Sequence, residues 1–84
     1  MIASGRQIAA ARDLLGISQA ELAAAVGVAQ TTVARFEAGL ASPHRSTLLK
    51  LQGELERRGI EFSNGDGIGV RLIFAKAQAA AQRP

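Results

Sequence analysis

Gln30, Thr31, Thr32 and Arg35 lie within six residues of one another and offer an amide, two hydroxyls and a guanidinium, with no carboxylate among them until Glu37. Such groups form hydrogen bonds in defined planes and directions. This is the chemistry of recognition, and the residues that could make or break bonds are poorly placed. Ser4, Ser18 and Ser46 have no base beside them in sequence, and the single histidine, His44, has no evident acidic partner. A lone histidine is no metal site. Cysteine is absent, which excludes a disulfide framework, a thiolate nucleophile and a Cys-based zinc site. Gly65, Gly67 and Gly69 superficially resemble a phosphate-cradling loop, but the strand-to-helix context of such a loop is lacking and turn chemistry accounts for them. The expectation is a binding protein with no enzymatic activity, no cofactor and no metal.

The elements that must position the polar quartet are marked by local signals. Ser18 followed by Glu21 is a capping box, and Leu22, Ala23 and Val26 form an apolar stripe that Gly27 stops. After a turn of Gly27, Val28 and Ala29, helical periodicity resumes from Gln30 to Ala38 through Val33 and Phe36, and Gly39 ends it. Two short helices joined so tightly must cross steeply. Ala23 is small enough to let them approach, Gly27 tolerates positive φ, and Leu22, Val28, Val33 and Phe36 lock the crossing from inside. Once those are buried, Gln30, Thr31, Thr32 and Arg35 face outward.

Upstream, Ser4 and Gln7 form another capping box for a first helix with Ile8, Arg12 and Leu15 on one face and Gly16 as its left-handed cap. Downstream, Leu40 to Arg45 reads as a loop containing Ser42-Pro43. Ser46 is the expected cap of a fourth helix with Leu48, Leu51 and Leu55 on one face, Lys50, Glu54 and Arg57 solvated, and Gly59 at its end. Ile60 to Ser63 then alternates apolar and polar residues, Asn64 to Gly67 is turn chemistry, and Ile68, Val70, Leu72 and Phe74 recur at period two, which predicts a β-hairpin. Residues 75–84 are rich in alanine and glutamine and fit either a frayed helix or disorder.

Eighty-four residues allow one domain with a small core. Hydrophobic residues make up 48% of the chain, much of it alanine, so the helices should pack closely. No apolar run approaches the roughly 20 residues of a membrane span, and Met1 to Gly5 lacks the features of a secretory signal. The cytoplasm is the expected location, with no membrane partner. A net charge of +3 favours polyanions only weakly.

The stretch SQAELAAAVGVAQTTVARFEAG, Ser18 to Gly39, resembles the Cro and phage-repressor type of helix-turn-helix regulators, supported by Arg12 to Ile17 before it and SPHRSTLLKL after it. The likeness covers about residues 5–59. It implies a mainly α fold, a compact four- to five-helix lambda-repressor-like DNA-binding domain over residues 1–59, here with a β-hairpin or strand extension over 60–74 and a tail over 75–84. It implies that the third helix enters the major groove of double-stranded DNA, with Gln30, Thr31 and Arg35 facing base edges and Thr32 making contacts nearby. Gln19 would contact a phosphate and brace Gln30, and Ser18, His44 and Arg45 are further candidates for phosphate contact. The resemblance also suggests an ion pair between Arg12 and Glu37. Ala29 departs from the family pattern, standing where a capping serine or threonine is common.

The expected function is a sequence-specific transcription regulator, a dimeric repressor on a near-palindromic operator. The alternatives are an antitoxin that autoregulates through the same unit while binding a toxin, or a helical adaptor that binds protein. The hairpin is the expected homodimer interface, through Ile60, Phe62, Val70, Leu72 and Phe74, because the helices' alanine-rich faces are expected to leave its apolar side uncovered.

Overall fold

In a computed structural model, described for residues 2–81, the chain forms five helices and one two-stranded sheet. The elements are α1 (Gly5–Leu15), α2 (Gln19–Val26), α3 (Gln30–Glu37), α4 (Arg45–Arg57), β1 (Ile60–Ser63), β2 (Gly69–Leu72) and α5 (Phe74–Ala81). The fold is mainly helical with an antiparallel hairpin, as the sequence predicts.

Local chemistry sets the helix starts and stops. Both capping boxes form: Ser4 Oγ accepts from the Gln7 N–H while Gln7 returns its amide oxygen to the Ser4 N–H, and Ser18 and Glu21 do the same. Gly16 and Gly27 end α1 and α2 in the left-handed region, at φ 70° and 75°. The start of α4 differs from expectation. It begins at Arg45, with His44 in the cap position and no side-chain cap bond, and Ser46 lies inside the helix. His44, directly after Pro43, is extended, and its carbonyl already accepts the first helical bond from the Leu48 N–H at 3.0 Å.

Ile8, Ala11, Leu22, Ala23, Val33, Leu51, Leu55 and Ile60 make up most of the core, with Val28 and Phe36 packed at its edge. The small residues Ala11 and Ala23 are almost fully buried and let the helices approach closely. Glu54, expected to be solvated, is not: its side chain is 13% exposed and accepts from Arg57 Nη2 and Arg58 Nε, each at 2.7 Å. Together they hold its carboxyl below the ordinary range, the Arg57 hydrogen bond most strongly.

The hairpin pairs Ile60 with Leu72, Glu61 with Arg71, Phe62 with Val70 and Ser63 with Gly69. Its apolar side lies on the chain's own core: Ile60 is buried, and Phe62, Val70 and Leu72 pack against the same cluster. The expected lack of cover within the chain is therefore corrected. α1 and α4 face the sheet and supply the cover. The period-two pattern also stops early. β2 ends at Leu72, the Ile73 N–H donates to the Gly59 carbonyl at 2.8 Å, and Phe74 opens α5 with its side chain in solvent. Of the alanine-rich tail, residues 75–81 are helical, and 82–84 lie outside the described residues.

Two buried glutamines join distant segments. Gln7, whose oxygen serves the α1 cap, donates through Nε2 to Ser63 O at 3.1 Å, Asn64 Oδ1 at 2.9 Å and Gly69 O at 3.2 Å. Gln52 accepts the Ala3 N–H at 2.7 Å. Among the described residues no helix is long and apolar enough to cross a membrane.

Candidate nucleic-acid interface

The turn between α2 and α3 is closed by its own backbone. The Gly27 N–H donates to Ala24 O and the Val28 N–H to Ala23 O, so the chain reverses within three residues, Gly27 to Ala29. Buried Leu22, Ala23 and Val33 fix the crossing. Ala29 extends into α3 with no side-chain cap bond. With Val33 inward and Phe36 at the core edge, Gln30, Thr31 and Arg35 are exposed and Thr32 is half-buried at the margin of the same face.

Glu37, at the end of α3, turns back toward the scaffold. Its side chain is 6% exposed and pairs with Arg12, Nε to Oε2 at 2.7 Å and Nη2 to Oε1 at 2.8 Å. Arg12 Nη1 also donates to the Ile17 carbonyl at 2.9 Å. Burial pushes the Glu37 carboxyl upward, but hydrogen bonds from Arg12 and Gln19 and the Arg12 charge outweigh it and hold the group below the ordinary carboxylate value. Gln19 donates from Nε2 to Glu37 Oε1 at 2.9 Å, so in the unbound chain its partner is Glu37 and not Gln30.

Ser18 is exposed. Its oxygen accepts from the Glu21 N–H, which leaves its own O–H free to donate. His44 and Arg45 are exposed at the start of α4. Among the described residues, Arg12, Arg57, Arg58, Arg71 and Lys76 are paired with carboxylates, whereas Arg6, Arg35, Arg45 and Lys50 are not. The scaffold's cations are thus neutralised locally, and the uncompensated ones include Arg35 on the polar face and Arg45 at the head of α4. Arg6 and Lys50 lie outside the set of contact residues expected from the sequence. Arg6 has no acidic residue three or four positions away, a usable signal. Lys50 has Glu54 four residues on, but two arginines already occupy that carboxylate.

No described group of His, Cys, Asp or Glu could hold a metal ion. A short helix locked behind a tight turn, with an uncharged and cationic polar face outward, defines a helix-turn-helix unit. A model of the Cro/C1-type helix-turn-helix family matches residues 8–60, and the chain belongs to that DNA-binding family. A search of curated proteins finds no match.

Proposed function

We propose that the protein is a sequence-specific transcription repressor that binds a near-palindromic operator as a homodimer. The observation that carries this reading is the outward face of α3, where Gln30, Thr31 and Arg35 are exposed with no carboxylate among them. In the major groove, glutamine can pair bidentately with adenine and arginine with guanine, and a threonine methyl can meet the thymine methyl. Thr32 contributes at the margin. Gln19, Ser18, His44 and Arg45 contact the phosphates on either side, and bound protein occludes a promoter.

The dimer forms through what the hairpin leaves exposed. Ile68 just before β2 and Phe74 just after it are 63% and 79% exposed, and Phe62, Val70 and Leu72 are only partly covered. Ile60 is spent on the chain's own core and serves the interface only by holding β1 in place. A two-fold axis there sets two α3 helices roughly 34 Å apart, one turn of DNA.

Selection of bound DNA from a random pool, followed by footprinting, tests recognition and symmetry together. The expected product is a near-palindrome with two protected half-sites. No enriched sequence, or enrichment of a single half-site, contradicts the reading. Sedimentation of Phe74→Glu and Ile68→Glu variants tests the interface without removing core residues. A monomeric wild type at micromolar concentration, or an undiminished dimer in the double variant, sinks the assignment.

A further inference from the structure

Glu37 does more than close an ion pair. Its Oε1 accepts from Arg12 Nη2 and from Gln19 Nε2, while Oε2 accepts from Arg12 Nε. One carboxylate at the end of α3 therefore holds the last turn of α1 and the first residue of α2.

An ionised carboxylate can only accept hydrogen bonds, so it selects the nitrogen end of the Gln19 amide. Turned the other way, the amide oxygen would face the carboxylate at the same separation and be repelled. The bond leaves one Nε2–H and Oε1 of Gln19 uncommitted. A DNA phosphate oxygen is also an acceptor only, so the uncommitted N–H is the group it can use. An unrestrained glutamine would present its carbonyl as readily as its NH₂ and would lose rotamer freedom on binding. Held by Glu37, the amide is fixed with its nitrogen on the carboxylate before any DNA arrives.

We propose that Glu37 is a positioning residue for DNA binding, fixing the Gln19 side-chain amide so that its second Nε2–H meets a backbone phosphate. This rests on the regulator reading above and adds the Arg12–Glu37 pair to the DNA-binding apparatus. Glu37 itself touches no DNA.

The test is a double-mutant cycle on DNA affinity with Gln19→Ala, Glu37→Gln and the double variant, at a temperature where circular dichroism shows all of them folded. Phosphate-ethylation interference is recorded for each. Each single change is expected to weaken binding roughly tenfold, as for a hydrogen bond to a charged group. The double variant should be no weaker than the worse single one, and both single variants should lose interference at the same phosphate. Losses that multiply, a Glu37→Gln variant with wild-type affinity, or one that keeps that phosphate while weakening everywhere, overturn the proposal. Should Glu37→Gln not fold, NMR of the wild-type complex decides. Both Nε2 protons of Gln19 should be hydrogen-bonded, one of them already so in the free protein; an amide released from Glu37 on binding overturns the assignment. A wild type that binds no DNA overturns the regulator reading as well, whereas binding with multiplicative losses overturns this inference alone.

Discussion

Gly5, the first residue of α1, lies directly against the backbone carbonyl of Phe36 in α3. A Cβ at Gly5 would overlap the Phe36 oxygen and stand 2.9 Å from its carbonyl carbon and 3.1 Å from Glu37 Cα, all rigid backbone. Glycine at this position sets how closely α1 approaches α3.

Gly5→Ala should therefore destabilise the fold by about 1–3 kcal/mol, the usual cost of overpacking. Gly53 is the control. It lies inside α4, where an added Cβ meets nothing within 4 Å. Gly53→Ala should stabilise by about 0.5–1 kcal/mol through helix propensity. Thermal melts of the two variants should move in opposite directions; shifts of the same sign would mean that the α1–α3 approach relaxes freely.

Gln7→Glu replaces the donor that faces Ser63 O, Asn64 Oδ1 and Gly69 O with an acceptor of the same shape. Three acceptors then surround a buried carboxylate, and the loss should exceed about 2 kcal/mol. Amide exchange should accelerate first in the hairpin, because the hairpin mouth loses its tether to α1. Unchanged protection of residues 60–72 would show that apolar packing alone holds the sheet.

On the outward face of α3, Arg35→Ala should relax base preference at one position per half-site, and Gln30→Ala at another, each by about 1–3 kcal/mol. Lys50→Ala instead should weaken binding evenly across sequences or leave it unaltered, since an unpaired lysine on α4 can contribute only to the sequence-independent term. Repeating the DNA selection with each variant separates the outcomes. An unaltered selected sequence in both α3 variants removes them from base readout.

Glu37→Ala strands the Arg12 guanidinium and should cost about 3 kcal/mol, a fall in melting temperature of more than about 10 °C for a domain this size. Glu61, 43% exposed and held by Arg71 and Lys76 at the surface, should matter much less when replaced by alanine. The pH dependence follows from the direction of the shifts. The carboxyls of Glu37 and Glu54 are both depressed in the fold. Their stabilisation is complete above the ordinary carboxylate value and is lost as pH falls through the depressed ones. The melting temperature should thus decline through that acid interval, with a shallower slope in Glu37→Gln. Equal slopes would place the acid sensitivity elsewhere.

The features legible in the sequence are those whose chemistry spans three or four residues. Ser4 with Gln7 and Ser18 with Glu21 announce their helix starts because cap and acceptor are covalent near-neighbours, and Gly16 and Gly27 mark ends because few other residues accept positive φ. The apolar spacing of Leu22, Val33 and Phe36 likewise leaves only one face of α3 for solvent. What escaped depends on partners far away in sequence. Gln7 reads as half of a capping box, and nothing local reveals that its nitrogen also closes the hairpin 56 to 62 residues later. Phe74 continues a period-two pattern on paper, but the bond from Ile73 back to Gly59 ends the strand first. Glu54 is the exception, since Arg57 and Arg58 stand three and four residues on, the spacing at which helical ion pairs form, and its cover is a local feature.

The Ile73 N–H bonds to the Gly59 carbonyl, and Gly59, at φ 109°, sits so near α5 that a Cβ would stand 2.7 Å from the Ala77 nitrogen. The extension therefore leaves the four-helix body and returns to it at one point, a closed excursion with its neck at Gly59. Inside it, Gln7 clamps the backbone at Ser63 and Gly69, leaving Gly65 to Gly67 as the unclamped tip. Residues added there lengthen a loop whose ends are already fixed, at an entropic cost that grows only slowly with length. In the evolution of this chain, the tip is thus the place where insertions could be accepted with least disturbance to the helices, whereas a residue added inside β1 would turn the side chains on one side of the insertion to the opposite face of the sheet or force a bulge.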